Sequence, residues 1–153
     1  MRAASHFVLA ALLGLGAGLP SAQAGEALAV VVAAGTPTDK LSEEAVRLIF
    51  NRKRLVDGRG QRWVPVNLPA TDALRRAFSL AVFDALPEDL EEYWNNQYFH
   101  GIEPPEVMAS QEAVLRFVAA TPGAIGYVRA PLADGRVKVL LRLPAPEADS
   151  KPR

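Results

Sequence analysis

The segment Thr121-Pro-Gly-Ala-Ile-Gly-Tyr-Val128 joins the stop signal of a helix to a short apolar strand with a glycine inside it. Pro122 cannot continue a helix, and Gly123 fits a helix stop that needs unusual backbone angles. Gly126, within the strand, permits close approach of another element. A helix that must give way at once to an apolar strand predicts helices packed on a sheet. The segment points to a sheet edge of an α/β fold near a site, more than to a catalytic centre.

The rest of the chain follows the same alternation. Ala27 to Ala34 reads ALAVVVAA, a continuous apolar run that suits a strand buried on both faces. The Gly35-Thr36-Pro37-Thr38 turn follows it. A first helix opens at Leu41-Ser42 with Ser42 as N-cap, Glu43 and Glu44 in the first turn, and a stripe of Leu41, Ala45, Leu48 and Ile49. Asp57-Gly58-Arg59-Gly60 marks a turn before a short strand from Trp63 to Leu68, whose Pro65 removes a donor and predicts an edge or a bulge. Thr71 caps a second helix that buries Leu74, Ala77, Phe78, Ala81 and Val82. Pro87 begins a third, with Leu90, Tyr93, Trp94 and Tyr98 on its buried side and His100-Gly101 as its end. Pro104-Pro105 enforces an extended link through Glu106 to Ala109, and a fourth helix starts at Ser110 and buries Val114, Phe117 and Val118. Strands from Ala124 to Val128 and from Val137 to Leu141 complete the order, which favours a small mixed or parallel sheet flanked by helices.

Residues 1–24 lie outside this fold. Arg2, the apolar run from Phe7 to Leu19 and the Ala22-Gln23-Ala24 cleavage signal predict a leader removed after Ala24 and export to the periplasm or beyond. The apolar part is shorter than the roughly 20 residues a bilayer span needs, so no stable span is expected after cleavage. The organisation expected is a signal peptide over 1–24, one domain over 25–144 and a flexible tail over 145–153. Without the leader, 16 basic residues face 17 acidic ones, which removes the electrostatic case for nucleic acid. The chain has no cysteine, so neither a disulfide framework nor a cysteine-dependent site is expected. His100, the one histidine after the leader, has no second histidine or cysteine to share a zinc ion, and Ser110 lacks a recognisable catalytic partner. No cofactor is expected, and the chain reads as a non-enzyme.

Several segments together resemble one lobe of the periplasmic phosphate-binding proteins, the substrate-capturing component of phosphate ABC transporters. Leu41 to Phe50 resembles the helix that enters that lobe. Asn51-Arg52-Lys53, Asp57-Gly58 and Trp63 resemble the turn that follows it, with Asn51 where a glycine is usual. Pro122-Gly-Ala-Ile-Gly-Tyr127 is similar to the family's signature, and Tyr93-Trp94 with Phe99-His100-Gly101 and Pro104-Pro105 looks like its short members. The resemblance implies a type II periplasmic-binding-protein-like lobe: an α/β domain with a small mixed sheet flanked by helices. Family members have two lobes that close on the anion and about twice this length.

The resemblance also implies where a ligand would sit. In the family, a strand ends in an arginine and then a serine-glycine-threonine turn at a helix N-terminus. Here the stretch reads Val66-Asn67-Leu68-Pro69-Ala70-Thr71-Asp72-Ala73-Leu74-Arg75, with Asn67 or Leu68 near the arginine's place. Thr71, Arg75 and the helix amides could bind an anion, with Asp72 either repelling it or accepting a proton from a singly protonated phosphate. Capping and solvent exposure account for the same residues. Gly35 and Thr36, at the end of the first strand, either donate to a ligand or form a plain turn. Two functions follow: a solute-binding-like protein that recognises phosphate or another small anion, with a transporter or envelope partner, or an envelope interaction module that kept the lobe and lost anion binding.

Overall fold

A computed structural model describes residues 27–144; the expected leader over 1–24 and the whole of the expected tail over 145–153 lie outside the described residues. The strands are β1 (Leu28–Ala33), β2 (Val64–Asn67), β3 (Glu106–Val107), β4 (Ala124–Arg129) and β5 (Val137–Leu143). The helices are α1 (Glu43–Phe50), α2 (Ala73–Phe83), α3 (Glu91–Phe99) and α4 (Gln111–Ala120), and a 3-10 turn at Pro87–Leu90 leads into α3. Their sequence order is the expected one.

The sheet runs β3-β2-β4-β1-β5, with β2 parallel to β3 and β4, and β1 antiparallel to both β4 and β5. It is therefore a mixed sheet. β1 is an interior strand paired on both sides, and Leu28 to Val32, whose side chains alternate between the two faces, are all buried, so both faces of the sheet are covered there. Each buried leucine or valine of the run contributes about 1.5–3 kcal/mol by leaving water.

The signature strand β4 lies at the centre of the sheet, not at its edge. Successive side chains of a strand point to opposite faces, and β4 uses both. A Cβ on Gly126 would meet Val114 Cγ1 at 2.6 Å and Val118 Cγ2 at 3.3 Å, so α4 lies tight against that face. Tyr127 points the other way, stacked on Phe78 of α2 with ring centroids 3.9 Å apart and 6.0 Å from the Phe50 ring of α1. At Gly123 φ is +79° and a Cβ would collide with the Arg62 carbonyl, so both glycines are fixed by space.

Pro65 also differs from expectation, since β2 is flanked on both sides. The Val64 N–H donates to the Gly123 carbonyl, so the Pro65 nitrogen faces the β3 side. There pairing begins only at Val66, and the missing donor costs no ladder bond.

Local signals set the helix ends. Ser42 Oγ accepts from Ala45 N at 3.1 Å and Ser110 Oγ from Ala113 N at 3.1 Å. α1 ends with Arg52 in the left-handed region, φ +64°, while Asn51 keeps φ −87°. The position that would favour glycine is thus Arg52 rather than Asn51, and an arginine there costs roughly 1–2 kcal/mol. Asp57 Oδ1 accepts from the N–H groups of Arg59 and Gln61, closing the expected turn.

Expectation fails most clearly on α3, where no residue is fully buried. Tyr93 and Trp94 are half-buried, and the Tyr93 hydroxyl donates to the Asn51 carbonyl at 2.7 Å, pinning α3 to the end of α1. Tyr98, expected inside, is 66% exposed. His100 ends the helix as expected, with Nδ1 2.8 Å from the Asn96 carbonyl. Among the described residues no helix is long and apolar enough to cross a membrane.

Candidate functional site

In open α/β sheets, ligands favour the carboxyl ends of parallel strands. Here that end is where β2 leaves the sheet and α2 begins. Asn67, Leu68, Thr71, Asp72 and Arg75 gather there, with Tyr127 of β4 beneath them. Asn67 is 5% exposed and Tyr127 1% exposed, so their polar atoms need partners inside the protein. They find them in each other: the Tyr127 hydroxyl donates to Asn67 Oδ1 at 3.2 Å and accepts from the Leu68 N–H at 3.2 Å. Burial pushes the Tyr127 pKa up to about 12, against the pull of the nearby Arg75 guanidinium and the Leu68 N–H.

Asp72, not Thr71, caps α2. Its Oδ1 accepts from Leu74 N at 2.8 Å and from Arg75 N at 3.3 Å, while Thr71 is exposed. Two first-turn donors that an incoming anion would use are therefore taken by a carboxylate of the chain. Aspartate is the stronger cap because it also places negative charge at the positive end of the helix dipole. Arg75 lies half-buried one turn along. Desolvation lowers its pKa, partly offset by attraction to Tyr127, and its Nε is buried without a hydrogen-bond partner.

Gly35 and Thr36 do not join this group. β1 runs antiparallel to β4, and β2 runs parallel to β4, so the carboxyl end of β1 lies at the amino ends of β2 and β4. The two residues line a separate cleft of about 600 Å³ with Gln61, Trp63, Thr121 and Gly123. Thr36 N donates to the Ala33 carbonyl and Lys138 Nζ to the Thr36 carbonyl at 2.6 Å, which makes a strand-ending turn. The five residues singled out in the sequence thus divide between opposite ends of the sheet.

Sequence reasoning missed the bond from the Tyr127 hydroxyl to Asn67 and the capping role of Asp72. An acidic residue just before the apolar stripe of α2 was an available capping signal. Nothing local signals that Asn67 and Tyr127 meet across about 60 residues of chain. Among the described residues no group of three or more His, Cys, Asp or Glu could hold a metal ion.

The fold is shared with binding proteins of known structure. A protein from Clostridium perfringens, described as a phosphate ABC transporter substrate-binding protein and solved with bound phosphate, superposes with a TM-score of 0.61 at 17% identity, over 74% of this chain and 43% of that one. An ABC-type phosphate transport receptor from Vibrio cholerae gives 0.56 at 19% identity, over 74% and 44%. PstS from Borrelia burgdorferi gives 0.59 at 15%, over 74% and 46%. At such identities the likeness defines the fold, a periplasmic-binding-protein-like lobe. The matched region spans under half of each of these chains. No protein-family model matches the sequence, and no curated protein matches it significantly.

Proposed function

We propose that this is a non-enzymatic, exported protein built on a periplasmic-binding-protein-like lobe, which acts by contact with an envelope partner rather than by enclosing phosphate itself. The observation that carries this reading is the Asp72 carboxylate on the Leu74 and Arg75 amides. A second anion at that helix end would meet a like charge, and Pro69 supplies no backbone donor to compensate.

Titration calorimetry of the purified protein against phosphate and sulfate tests it. No heat of binding is expected, with the fold intact by circular dichroism. Affinity capture from an envelope extract should retain a partner under the same conditions, and saturable phosphate binding would refute the reading. The alternative, recognition of a small anion, is favoured by Arg75, whose half-buried guanidinium keeps an unpartnered Nε. That reading predicts binding abolished by Arg75→Ala.

A further inference from the structure

The outer face of α3 offers the most unusual surface of the protein. Phe99 is 84% exposed and Tyr98 66% exposed, at the end of a helix whose Tyr93 hydroxyl is bonded to the Asn51 carbonyl at the end of α1. Two adjacent aromatic rings in water are costly unless something covers them. Phe99 also stands between two grooves of opposite charge. On one side lie Arg52, Arg62, Leu55 and Ile102, with Glu103 the single carboxylate; on the other lie Asp89 and Glu92 beside Tyr93. Neither the Arg62 guanidinium nor the Glu92 carboxylate has an ion-pair partner among the described residues.

The backbone gives a second, independent pointer. Arg52 holds a left-handed conformation that glycine would adopt freely, and its side chain lines the basic groove. Strain of this kind persists where the side chain has a task.

We infer that a second copy of the chain docks here, in a two-fold contact centred on Phe99. A two-fold operation lays each surface on itself, so a patch ordered basic, aromatic, acidic meets its partner as acidic, aromatic, basic. The arginines of one copy then face Asp89 and Glu92 of the other, and both Phe99 rings leave water. The occupant's chemistry is thus already present on the same face. This inference is independent of what happens at the α2 end.

Sedimentation equilibrium of the purified protein over a range of concentrations tests the proposal. A monomer–dimer equilibrium is expected, weakening as salt screens the charge pairs. Phe99→Asp should raise the dissociation constant by about tenfold or more, with unchanged circular dichroism because the ring is exposed in the monomer. Arg62→Glu and Glu92→Arg should each weaken the dimer, and the two together in one chain should restore it, because the two sites face each other across the axis. A chain that stays monomeric up to its solubility limit leaves the face to a different protein and overturns the proposal. So does a dimer that none of these single substitutions weakens.

Discussion

α2 and α3 are helices of similar length, yet they meet the rest of the protein in opposite ways. α2 buries Leu74, Ala77, Phe78, Ser79 and Val82 and has a side-chain cap, whereas α3 buries no residue and lacks one. At α2 the polar groups close on each other: Asp72 on the amides, and Tyr127 on Asn67 and Leu68. At α3 the apolar and charged groups are left facing outward. The difference teaches what holds each region: α2 is held by its buried face and by a cap of the chain itself, whereas α3 is held by Tyr93 and leaves Tyr98 and Phe99 exposed.

The sharpest contrast comes from removing one aromatic ring from each helix. Phe78→Ala should destabilise the protein by about 3–5 kcal/mol in urea unfolding, since the ring is fully buried and stacked on Tyr127. A small loss would mean that α2 is not anchored as described.

Tyr127→Phe probes the polar closure beneath α2. It leaves Asn67 Oδ1 and the Leu68 N–H without their buried partner, a loss of about 1–3 kcal/mol at neutral pH. The wild type carries a further signature. Because the folded pKa of about 12 exceeds the ordinary value of 10.0, the folded state keeps the phenolic proton that the unfolded chain releases. Stability from this group is present in full below pH 10 and falls as pH rises toward 12, by about 2–3 kcal/mol. The phenylalanine variant should lack that alkaline loss.

Much of this contrast was legible in the sequence, but unevenly. The ALAVVVAA run, the helix stops and the positions of Gly123 and Gly126 follow from local rules, because each is set by its neighbours in the chain. β4 was misplaced at an edge because strand order depends on long-range pairing. Gly35 and Thr36 were grouped with Thr71, Asp72 and Arg75 because the chain does not announce that β1 runs antiparallel to β4. Tyr98 has helical spacing from Trp94 and so reads as core, yet spacing says only which face it shares, not whether anything packs there.

Smaller effects sharpen the comparison. Asp72→Ala removes the cap and should cost about 1 kcal/mol in chemical denaturation. Arg52→Gly should raise stability by about 1 kcal/mol by relieving the left-handed strain at the end of α1; no gain would show that its side chain contributes to the monomer. At the other extreme, Phe99→Asp should change monomer stability by no more than about 0.5 kcal/mol, and a larger loss would mean that α3 packs within the chain after all.

The central claim is that the chain's own carboxylate closes the α2 N-terminus. The direct measurement is a phosphate titration at constant ionic strength, followed through the amide resonances of Leu74 and Arg75. Both should stay in place as phosphate is added. A saturable shift of those two resonances, absent when chloride replaces phosphate, would show that an anion reaches the helix end despite Asp72 and would contradict the account.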